Sequence, residues 1–207
     1  AGAVINNYVD VKRLILESNR VVGAQVNDEL GNAAMTVRAK LVINAAGPWI
    51  DDLNGQLPKA HQAPSINGFA VGSHIITRQI SDHAIAIATE LESDTAIDRG
   101  GRHVFVIPWR GYSLIGTSYD EIESCHGDLT IQPQHVDQLL TAVNKGLPNA
   151  NLTRDDLVSG YSGLYPLRTD NIKATVYQGT GEYQVIDHAA ANQVEGLVTA
   201  LGAKYTT

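Results

Sequence analysis

At 207 residues with 43% hydrophobic side chains, the chain is long enough for one large or two small domains and can bury a core. Fifteen Lys and Arg against 22 Asp and Glu leave a formal charge of -7 without a basic cluster, which excludes a general nucleic-acid surface. No apolar run approaches the roughly 18 residues of a membrane helix, no signal-peptide pattern opens the chain, and the single Cys125 allows no internal disulfide, a usage compatible with a reducing cytoplasm.

In chain order, Tyr8 to Ala39 alternates as repeated strand: Val9, Val11, Leu14 and Leu16, a turn at Ser18-Asn19, then Val21, Val22, Ala24 and Val26. A second turn at Asp28 to Asn32 leads to Met35 and Val37, which predicts a three-stranded antiparallel meander. Leu41-Val42-Ile43-Asn44 reads as a strand buried on both faces that ends at Ala45-Ala46-Gly47. These small side chains permit close backbone approach, and Pro48 suits the first position of a helix running to about Leu53. Such a helix start favours bound anions.

The Gly-, Pro- and polar-rich stretch from Asn54 to Gly68 predicts a crossover between domains. Four strands follow at about 68–78, 83–89, 103–109 and 112–117, with an exposed loop over Glu90 to Gly101 and a tight hairpin turn at Arg110-Gly111. From Pro133 to Lys145 the period becomes helical, with Val136, Leu139, Leu140 and Val143 on one face and Gly146 and Pro148 as the stop. Strands resume at Leu157 to Leu164 and Ala174 to Ile186, and Gly196 to Gly202 reads as a small-residue buried strand.

Most isolated candidates for chemistry are weak. Gly179-Thr180-Gly181 approaches a GxGxxG fingerprint, but Gln184 stands at the third glycine, so a polar turn is expected. Cys125-His126 lacks any metal-ligand spacing, the seven histidines are scattered, and no metal site is expected. Asp51-Asp52 and Asp155-Asp156 read as solvated groups or caps. Trp49 and Trp109 read as core or pocket-wall aromatics.

Taken together, Val42-Ile43-Asn44-Ala45-Ala46-Gly47-Pro48-Trp49 resembles the AxGxW segment of flavoproteins of the D-amino-acid oxidase superfamily. Five later strings narrow the resemblance to FAD-dependent glycerol-3-phosphate dehydrogenases: Gly72-Ser73-His74-Ile75-Ile76, Phe105-Val106-Ile107-Pro108-Trp109, Leu114-Ile115-Gly116-Thr117-Ser118, Tyr161-Ser162-Gly163-Leu164 and Gly202-Ala203-Lys204-Tyr205-Thr206-Thr207. The order and comparable spacing across nearly the whole chain make the match specific. The resemblance implies an α/β fold, with a partial Rossmann-like FAD-binding domain carrying the meander and an antiparallel-sheet substrate domain. The expected division is 1–53, FAD-binding; 54–195, substrate-binding; and 196–207, a return strand to the FAD domain. It also implies an internal fragment, since such a protein opens with GxGxxG and continues past Thr207 into a helix. An isolated fragment of this kind is expected to be inactive.

By the same resemblance, Val11, Ala45, Ala46, Gly47, Pro48, Trp49, Gly202, Lys204 and Thr206 lie against FAD, with Val11 by the adenine end. His74 becomes the general base or the partner of the substrate hydroxyl, its imidazole titrating near neutrality. Lys204 becomes the cation beside the reduced flavin, with Thr206 and Thr207 donating from the same helix start. Against these stand ordinary roles: Val11 as core, His74 as a polar strand residue, Lys204 as a solvated lysine.

The family's SGxRPL arginine is replaced by Tyr165, so Tyr165 and Arg168 are the remaining candidates to contact the substrate's anionic end. The expected reaction is oxidation of sn-glycerol 3-phosphate by hydride transfer to FAD, with electrons passed to a quinone or other acceptor. The expected location is cytoplasmic, with peripheral contact at the inner membrane face left open. Loss of the arginine keeps an FAD-dependent amine or 2-hydroxy-acid oxidase in view, and a non-catalytic binding domain on the same scaffold is the alternative of another class.

Overall fold

The computed structural model describes residues 2–58, 66, 68–89, 103–127, 129–166 and 184–201. It forms two compact units, one of residues 1–65 with 180–207 and one of residues 66–179.

The first unit opens with the predicted meander: β1 (Val9–Glu17), β2 (Arg20–Asp28) and β3 (Ala33–Arg38), antiparallel in that order. Ser18 and Asn19 both adopt positive φ, the turn geometry that matches the twist of the strands they join. A second sheet contains β4 (Val42–Asn44), β10 (Gln184–Asp187) and β11 (Leu197–Leu201), in the order β10-β11-β4. The return strand β11 runs parallel to β4, pairing Leu197 with Val42 and Thr199 with Asn44. Val21, Leu57, Val194 and Leu197 form the buried core, with Leu14, Leu16 and Val42 packed against it.

Gly196 is where β2 and β11 come together. Val21 N–H donates to the Glu195 carbonyl at 2.8 Å, and Gly196 has a φ of +75° with the Val21 carbonyl 2.3 Å from where a Cβ would sit. Only glycine satisfies both the backbone conformation and the approach.

The expectation that the Leu41–Asn44 strand is buried on both faces is overturned. Leu41 is 50% exposed and Ile43 63%. The physical reason is that only one face of β4 is covered: Asn44 is 2% exposed, whereas Ile43, on the alternate face, lies open, and Leu41 precedes the strand. Its apolar run therefore reflects an open surface rather than a double-sided core.

The second unit is a five-stranded antiparallel sheet, ordered β6-β7-β8-β5-β9, with β5 (Phe69–Arg78), β6 (Ile85–Ala88), β7 (His103–Trp109), β8 (Tyr112–Ile122) and β9 (Leu157–Pro166). The Arg110-Gly111 turn has φ of 50° and 80°, as the two-residue hairpin requires. The helix α2 (Pro133–Gly146) lays Val136, Leu139, Leu140 and Val143 on one face of the sheet, against Ile75, Ile87, Val104, Val106 and Ile115. The alternation of each strand leaves the other face open. Leu139 is 2% exposed at the centre of this contact. Leu139→Ala removes about 2–5 kcal/mol, read as a fall in the urea midpoint of the full-length gene product.

Smaller differences have local causes. α1 (Ile50–Asn54) is preceded by a 3-10 turn over Gly47–Trp49, so Pro48 lies inside the 3-10 turn rather than at the start of the α-helix itself. Asp51 and Asp52 lie in the first turn of α1, and Asp156 closes a capping box on Thr153. Trp109 is 43% exposed, with the Arg110 guanidinium 5.0 Å from its ring centroid, and so is a surface aromatic rather than core. The short helix α3 (His188–Asn192) was not anticipated; Asp187 caps it by accepting from the Ala189 N–H. The expected loop at 90–101, the Gly179-Thr180-Gly181 turn and residues 174–183 of the Ala174–Ile186 strand lie outside the described residues.

Candidate active site

In the first unit the site is built by the turn that follows β4. Asn44, 2% exposed, anchors it from within: its Nδ2 donates to the Ile50 carbonyl at 2.9 Å, and its Oδ1 accepts from the Ala46 N–H at 3.3 Å. The Trp49 N–H then donates to the Ala46 carbonyl at 3.1 Å, and Gly47 takes a φ of 58°. A tight bend forms with its small side chains turned outward.

A cleft of about 700 Å³ lies against that bend. Val11 from β1, Ala24 from β2, Ile43 from β4, and Ala45, Ala46 and Trp49 from the turn form much of its wall, with Asp10, Lys12, Asp52 and Gln56 as polar members. Four of the expected cofactor residues are thus brought together, whereas Gly47 and Pro48 shape the turn without lining the cleft. Gln56 ties α1 to β1: its side-chain oxygen accepts from the Leu14 N–H at 3.0 Å, and its amide donates to the carbonyls of Lys12 and Asp52 at 3.1 and 2.9 Å. Lys12 pairs with Asp10 and Glu29, which neutralise it. An apolar wall beside a bend of small residues, with open space where a Gly47 Cβ would point, fits a large planar cofactor.

In the second unit the strand register brings Phe105, Gly116, His74 and Tyr161 into one row across β7, β8, β5 and β9. The His74 ring stacks on Tyr161, with centroids 5.2 Å apart and planes at 10°. It also lies over Gly116, where a Cβ would come within 2.2 Å of the His74 Cδ2. Burial pushes the imidazole below its ordinary value of 6.5. His74 is therefore neutral at pH 7 and can accept a proton.

Tyr165 lies four residues beyond Tyr161 on β9, opposite Ala70 and on the same face, with Gly163 opposite Gly72 between them. Sequence reasoning missed the parts played by Tyr161 and Gly116. The available signal was the two-residue period of β9, which places Tyr161 and Tyr165 on one face. Arg168, Gly202, Lys204, Thr206 and Thr207 lie outside the described residues.

A family model described as DAO, FAD dependent oxidoreductase, matches residues 1–207. The chain belongs to the FAD-dependent oxidoreductase family. Within it, the chain is 32% identical to a glycerol-3-phosphate dehydrogenase of Synechocystis sp., over 100% of this chain and 38% of that protein. An alpha-glycerophosphate oxidase of Enterococcus casseliflavus is also 32% identical, over 95% of this chain and 31% of its own. Among solved structures, the glycerol-3-phosphate dehydrogenase from Bacillus halodurans complexed with FAD is similar with a TM-score of 0.77 and 28% identity, covering 99% of this chain and 36% of that one. The chain spans about a third of the length of these relatives.

Proposed function

We propose that the chain serves the oxidation of sn-glycerol 3-phosphate to dihydroxyacetone phosphate in an FAD-dependent dehydrogenase. The first unit, residues 1–65 with 180–207, contributes to the cofactor side, and the second, residues 66–179, to the substrate side. The observation that carries this reading is His74, neutral, stacked and on an open sheet face, in a chain whose similarity to glycerophosphate-oxidising relatives extends over its whole length. Bound FAD supplies the two-electron acceptor.

Oxidising the secondary alcohol releases a hydride from carbon and a proton from the hydroxyl. His74 takes the proton, while Tyr161 and the space over Gly116 hold its ring in one orientation. Val11, Ala45, Ala46 and Trp49 hold the cofactor from the cleft, with Gly47 and Pro48 setting the bend. Gly202, Lys204 and Thr206 carry the cofactor roles given by the family segment, and Lys204 adds positive charge for the reduced ring. Arg168, Tyr165 and Thr207 contact the phosphate end. Electrons leave to a quinone or similar acceptor, at the cytoplasmic side and in peripheral contact with the membrane. Among the described residues no helix is long and apolar enough to cross one.

The test is anaerobic addition of glycerol 3-phosphate to the full-length gene product while its flavin absorbance is followed. Bleaching is the expected result. Bleaching by an amine or a 2-hydroxy acid but not by glycerol 3-phosphate would favour the reading that Tyr165, in place of an arginine, keeps in view. The base also sets a pH signature. Because a depressed pKa keeps His74 unprotonated to lower pH, the acid limb of kcat/KM falls below pH 6.5, measured as initial rate against pH. A limb above 6.5 would assign the proton transfer to another group.

A further inference from the structure

Four buried polar side chains run end to end through the first unit and stop at the turn that faces the cleft. His188 Nε2 meets Thr199 Oγ1 at 2.9 Å, Thr199 Oγ1 meets Asn54 Oδ1 at 3.2 Å, and Asn44 Nδ2 meets the same Asn54 oxygen at 3.0 Å. His188 and Thr199 are fully buried, and Asn44 and Asn54 nearly so.

The backbone of the turn dictates the direction of every bond. Asn44 accepts from the Ala46 N–H and donates to the Ile50 carbonyl, and neither backbone group can reverse its role. Asn44 must therefore offer its NH2 to Asn54, which turns the Asn54 oxygen inward. That oxygen only accepts, so the single Thr199 hydroxyl proton points to it. The Thr199 oxygen is left to accept from His188 Nε2–H. Nδ1 then carries no proton, in agreement with its lack of a partner among the described residues. Burial, only opposed by Asp187, likewise lowers the His188 pKa and favours the neutral ring.

Apolar side chains could close this junction without the desolvation that four polar groups incur. We infer that the chain from His188 through Thr199 and Asn54 to Asn44 is a positioning device, which sets the Ala45–Trp49 bend from the far side of the β4–β11 pair for cofactor binding. None of its three outer members lines the cleft, so they act only through Asn44. The inference rests on the cleft being the FAD site.

The test compares Thr199→Val, which keeps the shape and removes the hydroxyl, with Thr199→Ser, which keeps the hydroxyl. Two readouts are taken on the full-length gene product: FAD affinity by fluorescence quenching, and hydrogen exchange of a peptide spanning residues 44–50 in the FAD-free protein. Thr199→Val is expected to weaken FAD binding about tenfold and to speed exchange over 44–50. Thr199→Ser is expected to stay within about threefold of the parent protein on the same scale.

Unchanged affinity in Thr199→Val, or exchange that rises equally across both units, would overturn the positioning role while leaving the FAD site intact. A parent protein that binds no FAD would overturn both. Should Thr199→Val fail to fold, His188→Gln, which can still donate to the hydroxyl, and His188→Leu, which cannot, make the same comparison. Equal FAD affinity in those two variants is the overturning result.

Discussion

On the proposed function, replacing His74 with Asn in the full-length gene product is expected to lower kcat for glycerol 3-phosphate oxidation by about 10²–10⁴-fold, with the flavin content unchanged. Asparagine keeps a polar, planar end of smaller size on the strand but has no basic nitrogen near neutral pH. The position fixes why this should act on the chemical step. His74 stands on the open face of β5, away from the α2 core, so the substitution leaves no cavity in the packed layer. Its ring is already oriented by Tyr161 at 5.2 Å and is neutral through burial. Anaerobic stopped-flow bleaching isolates the reductive half-reaction and is the measurement to make. A rate within a few-fold of the parent would remove His74 from the role of base.

Gly116→Ala is expected to lower the same rate by about 10²-fold through geometry alone. The added Cβ would lie 2.2, 2.6 and 2.8 Å from the Cδ2, Cγ and Nε2 of His74, closer than non-bonded atoms approach. The side chain that must yield is the histidine, because its ring atoms are the three nearest to the new Cβ. Rotation of the ring off Gly116 also breaks its stack on Tyr161. Gly116 pairs with Phe105 on one side and His74 on the other, beside a register shift between Ser73 and His74, and its φ lies outside the left-handed region, so alanine can hold the same main-chain conformation. The signature is therefore a slow enzyme with near-parental thermal unfolding and full flavin content. Loss of rate together with loss of folding would point to a packing role for the glycine instead.

Elements whose periodicity is local were legible in the sequence. The α2 helix was readable because Val136, Leu139, Leu140 and Val143 repeat at helical spacing, and all four are buried on one face. The hairpin at Arg110-Gly111 was readable because two residues between alternating apolar runs admit few conformations. The bend after Asn44 was readable from its small residues and proline, and Val11, Ala45, Ala46 and Trp49 do line one cleft.

Burial and neighbours were less legible, because they depend on what lies across a sheet. Leu41 and Ile43 look like core in one dimension, yet Leu41 precedes β4 and Ile43 lies on its uncovered face. Trp109 likewise is 43% exposed, with the Arg110 guanidinium over its ring. The α3 helix spans five residues, too short to establish a period, and is held by a cap rather than by an apolar stripe.

For this protein, the longer strands, the α2 helix, the main turns and the family were written in neighbouring residues, because propensity, alternation and motif order are local properties. It took the folded chain to bring His74 to Tyr161 from 87 positions away over the bare backbone of Gly116, and to connect His188 to Asn44 through Thr199 and Asn54. Those meetings are set by strand register and by a parallel return strand, and no local pattern specifies which distant strand supplies the neighbour.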